Sequence, residues 1–291
     1  MSHIVVLGDL NLDVLATLPE SFSQEKEVRT TVRTVPGGSA GRFARIAARE
    51  GAKVTFIGCV GDDLAGELLI RSLKGENIQP HVKRVDSHTG TIVALEQGGR
   101  RTMLCSRGAN DGIQASWLKQ EWFRGAQHLH LSGYAFLSPS QREAAHRAID
   151  IGRAHGMTIS VDPPPANLIR AFGVSNFLRE LTAVDWLFPD LEEGRALSDE
   201  ETPERILAAL AVDFSVGALT LAEEGSLAWQ GAERDRCQVQ GIECTSTIGA
   251  GDAFAAGFVV SLLEDATLHA ANLKANQVAS RLLKGREPQT R

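Results

Sequence analysis

Short apolar runs alternate with amphipathic segments along almost the whole chain, and this alternation constrains the fold more than any other feature. Residues 4–7, 54–59, 127–131, Thr158–Asp162, 186–188 and 216–221 read as strands. Between them, residues 39–50, 62–74, 140–155, 167–180, 191–197 and 203–211 carry a helical period. A hairpin pattern (226–229 with 236–239) and two further helices, Ala250–Leu263 and 269–284, complete the order. Strands apolar on both faces, separated by helices, describe a mostly parallel sheet covered on both sides. In the second helix the pattern places Leu64, Leu68, Leu69 and Leu73 inward, with Gly75 as a C-cap glycine.

Two stretches break the rhythm. Residues 12–18 and 28–35 are rich in Val, Thr and Arg without a helical period. Residues 90–96 and 101–106 flank Gln97-Gly98-Gly99-Arg100, where Gly98-Gly99 suits a tight turn. Together they predict a small antiparallel sheet outside the main one, either a lid or an exposed decoration.

Bulk properties narrow the function. A chain of 291 residues with 43% hydrophobic content is long enough for one large core. The net charge of -6, without a basic block, argues against nucleic acid as a partner. Apolar runs such as 254–263 are too short to span a membrane. The N-terminus enters a strand directly, with no charged leader or cleavage site, so a cytosolic protein is expected. Cys59, Cys105, Cys237 and Cys244 show no Cys-x-x-Cys spacing and read as free, buried thiols.

The chemistry concentrates in Ser246-Thr247-Ile248-Gly249-Ala250-Gly251-Asp252-Ala253-Phe254. Its Gly-Ala-Gly turn lets backbone approach a ligand closely, and the free N–H groups of the following helix favour a phosphate. Asp252, in the same turn, is a potential base, although an Asp in a first turn also serves as a simple favourable charge. The segment is neither a Gly-x-x-x-x-Gly-Lys-Ser/Thr loop nor Gly-x-Gly-x-x-Gly, whose third glycine would fall on Phe254. Ligands of a parallel sheet bind at the carboxyl ends of its strands. There the sequence carries Gly8, Asp9, Asn11 and Asp13, then Gly37-Gly38-Ser39, Asp162, Asp190 with Glu192 and Glu193, and Glu223-Glu224-Gly225. Carboxylates converging with a phosphate cradle suggest Mg²⁺, hydroxyl-rich ligands and phosphoryl transfer to a hydroxyl.

These motifs resemble the ribokinase-like (pfkB) carbohydrate kinase family over nearly the whole chain. Gly8-Asp9-Leu10-Asn11-Leu12-Asp13 is similar to its N-terminal substrate segment. Pro36-Gly37-Gly38-Ser39-Ala40-Gly41 with Gly58-Cys59-Val60-Gly61-Asp62-Asp63 is similar to its first signature, and 247–254 to its second, the more specific one. The resemblance implies an α/β, three-layer Rossmann-like ribokinase fold, mostly parallel, with a core at about 1–11, 36–86 and 108–291 and a β lid at about 12–35 and 87–107. It implies ATP-dependent phosphorylation of a hydroxyl, primary by expectation, of a sugar or sugar-like molecule. Asp252 would be the general base, and Gly249, Ala250 and Gly251 the anion hole. Asn11, Asp13, Gly37 and Gly38 would hold the substrate, and Arg107 would either reach it from the lid or pair with an acidic neighbour. Asp190 and Glu193 would organise Mg²⁺ through water. Thr220, Gly225, Thr247 and Asn276 would bind ATP, and the lids would pair two copies into a homodimer.

Three positions depart from the pattern. Ser246 stands where the family usually has an Asp that helps bind a monovalent cation, which puts potassium activation in question. Arg42 replaces the Asn of the Gly-Gly-x-x-x-Asn element; it either reads an acidic sugar or pairs on the helix surface with Glu50 or Glu67. Asp190 replaces an Asn and adds a charge near Mg²⁺. Two other readings stand beside the sugar kinase. One is a nucleoside kinase of the adenosine or pseudouridine type, with Val93, Met103 and Cys105 lining a base-sized pocket. The other is a catalytically silent relative that binds sugar or nucleotide.

Overall fold

Apolar alternation within single strands sets the layering. In β1 (His3–Leu7), Val5 and Leu7 enter one hydrophobic core while Ile4 and Val6 enter another, so helices must cover both faces. The computed structural model describes residues 1–19, 27–76, 78–98, 100–239 and 248–285. Thr247, Ser246, Cys244 and Gly99 lie outside the described residues. The further strands are β2 (Asn11–Thr17), β3 (Val32–Gly37), β4 (Lys53–Gly61), β5 (Ile78–Val85), β6 (Thr91–Gln97), β7 (Arg100–Ser106) and β8 (His128–Ser132). They continue with β9 (Thr158–Asp162), β10 (Trp186–Leu187), β11 (Val216–Thr220), β12 (Ser226–Gln230) and β13 (Glu233–Cys237).

Among the described residues, one sheet has the order β13-β12-β11-β10-β9-β8-β1-β4-β5. It is parallel from β11 to β5, with β12 and β13 added antiparallel. Helices α1 (Ser39–Arg49) and α2 (Leu64–Gly75) cover one face, joined later by α8 (Ala250–Leu263) and α9 (Leu268–Leu283). The other face carries α3 (Pro139–Ala154), α4 (Ala166–Phe172), α5 (Val174–Glu180), α6 (Leu191–Ser198) and α7 (Pro203–Asp213). This is the three-layer, mostly parallel architecture expected. Helix α8 is buried continuously from Asp252 to Val260, as a helix apolar all round must be.

Several local expectations are corrected. Strand β5 was not foreseen: Pro80 and alternating polar residues disguise it, and it tolerates a proline because it lies at the sheet edge. Helix α2 starts one residue after Asp63, whose Oδ1 accepts from Gly66 N at 2.8 Å. That phase turns Gly66, Leu69 and Leu73 inward and leaves Leu64 89% exposed, with Leu68 also exposed. Gly75 is the last helical residue and Glu76 the C-cap. Residues 167–180 form two helices rather than one, divided at Gly173, whose φ of 93° no helix interior accepts. Of the described cysteines, Cys59 and Cys237 are buried but Cys105 is exposed.

The second sheet has the order β3-β2-β6-β7. It is mixed, not purely antiparallel, because β2 and β6 pair parallel. Both leave the main sheet from the carboxyl end of a parallel strand, β1 and β5, and so run outward in the same direction; β3 and β7 return antiparallel. Its root thus sits over the carboxyl edge of the main sheet.

Beneath that edge, His128 and His130 are fully buried on β8. His128 is bonded to Thr158 and Ser160 hydroxyls at 2.7 Å, and His130 shares Ser160 at 2.8 Å. Burial pushes His128 down to about 3 and holds His130 well below the usual imidazole range. Unfolding frees both rings to bind protons near pH 6.5. Stability is therefore retained above about pH 6.5 and lost as the pH falls below it, with a limiting slope of about 1.4 kcal/mol per pH unit for each ring. Urea midpoints measured from pH 7.5 down to 5 should fall; His128→Asn should flatten that fall, and an unchanged pH slope in this variant would contradict the assignment.

Candidate active site

The carboxyl edge of the main sheet and the root of the second sheet enclose a cleft of about 780 Å³. Its wall includes Asp9 and Asn11 from the segment after β1, Asp162 at the end of β9, Asp190 and Glu193 after β10, Thr220 and Gly225 after β11, and Gly249–Asp252 at the start of α8. Asn276 from α9 closes one end. Residues scattered over the sequence thus meet because the parallel strands deliver their ends to one edge.

At the second-sheet end, Asp9 is buried and held by three donors. Arg107 Nη1 donates to its Oδ2 and Nη2 to its Oδ1, both at 3.1 Å, and Gln141 Nε2 donates at 3.2 Å. Arg107 also pairs with Asp111 and lies 5.5 Å from the Tyr134 ring centroid. It does not line the cleft; its guanidinium faces Asp9. Asn110 accepts from Leu10 N at 2.9 Å and donates to Asn11 Oδ1 at 2.6 Å, which leaves the Asn11 amide as donor toward the cleft.

Asp13, 1% exposed, lies behind this wall against Gly37, where any Cβ would stand 2.1 Å from Asp13 Oδ1. A side chain at 37 would therefore displace the Asp13 carboxylate. Gly38 caps α1 at φ 85°, close over the Asp9 carbonyl. One Asp13 oxygen, Oδ1, is buried without a partner; Oδ2 accepts from Arg42 Nη2. Burial raises the Asp13 pKa even though Arg42 opposes the shift.

Arg42 departs from the surface pairing offered for it in the sequence reading. It pairs with neither Glu50, which binds Lys274 and Arg281, nor Glu67, which binds Arg71 and Arg84. Its guanidinium bridges Asp13 and Asp252, donating from Nη1 to Asp252 Oδ2 at 3.1 Å. The missed signal is its place on α1. Gly38, Ala40 and Gly41 let the first turn approach Asp9 and Leu10, and Arg42 and Arg45 then face the second-sheet root. Of the residues suggested for a base-sized pocket, Met103 and Cys105 line the cleft, together with Ile92; Val93 does not.

At the opposite end, Asp190 and Glu193 form a reciprocal capping box on α6, with Glu193 N donating to Asp190 Oδ1 at 2.8 Å and Asp190 N to Glu193 Oε2 at 2.9 Å. Glu193 is pushed well above the usual carboxylate range by burial and by Asp190. Asp162 is raised likewise by burial and by Asp252, to which it is hydrogen-bonded, with Glu193 adding to the effect. Among the described residues no three acidic, histidine or cysteine side chains come together closely enough to hold a metal ion directly, so Mg²⁺ at these carboxylate oxygens would be held through water. Thr220 bridges backbone with Asp190, and Gly225, at φ 92°, passes against the Cys237 carbonyl too closely for a side chain. Asn276 is tied to Ser226 Oγ at 2.7 Å and to Asn272 O at 2.9 Å.

Gly249, at φ 80°, starts α8; a Cβ there would stand 2.7 Å from Arg42 Cδ. The first amides of α8 have no intrahelical acceptor, and among the described residues no side chain caps them. A Cβ at Gly251 would meet nothing within 4 Å. Asp252 follows, buried beside this cradle. Backbone donors, a buried carboxylate and further acidic side chains in one cleft have the parts for phosphoryl transfer.

Comparison with known proteins agrees. The model of the pfkB family carbohydrate kinases matches residues 1–290. The chain is 27% identical over 287 residues to a ribokinase of Bacillus subtilis (strain 168), covering 96% of this chain and 92% of that one. It is 30% identical over 301 residues to an ATP-dependent ribose-1-phosphate kinase of Halopiger xanaduensis, covering 99% and 93%. The solved adenosine kinase of Sinorhizobium meliloti superimposes with a TM-score of 0.88 at 25% identity, over 97% of this chain and 94% of that one. Because the family model spans nearly the whole chain, the chain belongs to the pfkB family of carbohydrate kinases, enzymes that use ATP and Mg²⁺.

Proposed function

We propose that this kinase transfers the γ-phosphoryl group of ATP to a hydroxyl, primary by the best reading, of a sugar or sugar-like molecule, and that Asp252 is the general base. The observation that carries this reading is the position of Asp252, buried in the first turn of α8 beside the helix's first backbone amides, which no described side chain caps. In the step, the acceptor O–H gives its proton to the Asp252 carboxylate, and the oxygen forms a bond to the γ-phosphorus. The bond to the bridging oxygen breaks, and its electron pair stays with ADP. The amides of Gly249, Ala250 and Gly251 offer donors for the charge of the group in transit. Asn11, with Asp13 and the Gly37-Gly38 turn behind it, presents polar groups for acceptor hydroxyls, and Asp13 Oδ1 is an acceptor still lacking its donor. Arg107 serves the acceptor side through Asp9, which it orients.

At the nucleotide end we assign Asp190 and Glu193 to Mg²⁺ through water, and Thr220, Gly225, Asn276 and Thr247 to ATP. Mg²⁺, when bound, offsets phosphate charge. Ser246, like Thr247, lies outside the described residues, so potassium activation is a question for assay. The core (1–11, 36–86, 108–291) and the second sheet (12–35, 87–107) act as body and lid, the lid excluding water and limiting futile hydrolysis. Pairing of two copies through exposed lid strands is the proposed assembly. Among the described residues no helix is long and apolar enough to cross a membrane; a cytosolic site of action is part of this proposal. A nucleoside acceptor is the second reading, favoured by Ile92, Met103 and Tyr134 on the cleft wall. A silent binder is opposed by the presence of the base and the open cradle together.

Coupled ADP release over pentoses, hexoses, sugar acids and nucleosides tests the reading. One compound should turn over, and Asp252→Asn should lower that rate by ~10²-fold or more. Binding of sugar or ATP without turnover on any compound would favour the silent binder. Gly251→Ala separates site from scaffold. The added methyl enters open space, so the melting temperature should hold or rise, since alanine is the better helix former by about 1 kcal/mol. The kcat should nevertheless fall at least ~10-fold, because the methyl crowds the donors assigned to the phosphoryl group. An unchanged kcat would remove Gly251 from the anion hole.

A further inference from the structure

Arg42 is the one cation described in direct contact with the Asp252 carboxylate. It spans from Asp13, behind the acceptor end of the cleft, to Asp252 at the start of α8. Its side chain is 18% exposed and lines the cleft. Its stem packs where the Gly249 turn would carry a Cβ, so the guanidinium sits beside the first amides of α8. A guanidinium has five N–H donors, and one is given to each carboxylate, so further donors are left for a third group.

The position creates a conflict during turnover. Asp252 has to accept the acceptor's proton, yet one of its oxygens is held by Arg42 Nη1. When the acceptor O–H engages that carboxylate, the guanidinium loses part of its partner while still largely out of solvent. A cation left so requires another anion. Asp13 retains it at one end, so it stays in the cleft. The anion that arrives there in the same step is the γ-phosphoryl group.

We propose that Arg42 is a further catalytic residue, one that holds Asp252 in the free enzyme and, through the donors that its two carboxylate partners leave free, hydrogen-bonds the γ-phosphoryl group in transit. The proposal rests on the kinase reading above. It leaves the balance of the step unchanged: the proton goes to Asp252, the new O–P bond forms, the bridging P–O bond breaks, and Arg42 supplies charge and donors without itself giving up a proton. Because the guanidinium answers both to the base and to the phosphoryl group, it couples acceptor engagement to transfer. It also keeps the base occupied when ATP alone is present.

The test compares wild type with Arg42→Gln and Arg42→Lys, and it includes a reading that needs no acceptor. Calorimetry measures MgADP affinity with and without aluminium fluoride, which mimics a phosphoryl group in transit. Wild type should bind more tightly with the fluoride, and Arg42→Gln should lose at least ~10-fold of that gain while binding MgADP and MgATP as before. With the acceptor found in the panel, its kcat should fall about 10²-fold with little change in the KM for ATP. Arg42→Lys keeps a cation beside Asp13 and serves if the glutamine variant does not fold. It too should lose most of the fluoride gain, because an ammonium lacks the planar fork. No fluoride gain in wild type, or equal gains in wild type and the folded variants, would overturn the proposal. If no acceptor turns over while the fluoride gain depends on Arg42, the kinase reading fails and the phosphoryl contact stands.

Discussion

The common direction of the strands from β11 to β5 is the constraint on which the site depends. A parallel sheet ends all its strands at one edge, and most of the strands here end at or just before an acidic residue. The chain therefore gathers Asp9, Asp162, Asp190, Glu193 and Asp252 around one cleft although they are spread over most of its length. The second sheet grows from this same edge because β2 and β6 leave it in parallel. Site and cover are thus consequences of one topological choice.

Gathering carboxylates in a half-enclosed cleft is electrostatically costly, and the molecule answers in two ways. At the acceptor end it uses arginines: Arg107 embraces Asp9, and Arg42 spans Asp13 and Asp252. At the nucleotide end no such cation contacts Glu193 or Asp162 among the described pairs, and both are driven toward the protonated form by burial and by their neighbours. The asymmetry matches the proposed division of labour. On the proposed reading, the region that would receive the acceptor is neutralised in advance, whereas the region that would receive a metal–phosphate complex is left for that complex to complete.

Much of this was legible in the residues themselves. Apolar periodicity located most of the main strands, and α8 was found at both ends, because a 14-residue run of small and apolar residues after Gly249 has no other reading. Polar residues after strands marked most of the acidic part of the cleft wall. What was hidden depended on context. Strand β5 carries Pro80 and a mixed surface that only an edge position explains. The face of α2 depended on Asp63 capping the helix and setting its phase. Arg42 was the largest miss: an arginine on an amphipathic helix looks like surface. Its burial follows from an approach between α1 and the Gly249 turn, two segments some two hundred residues apart.

The central claim is that the cleft moves a phosphoryl group from ATP to an acceptor oxygen beside Asp252. Phosphorus-31 NMR of a reaction with the turned-over acceptor observes that event itself. The account predicts loss of the γ-phosphate resonance of ATP and growth of a phosphomonoester signal, split by two equivalent or near-equivalent protons as a phosphorylated CH₂–OH requires. Growth of inorganic phosphate alone, or a spectrum of ATP that does not change while acceptor and enzyme are both present, would contradict it.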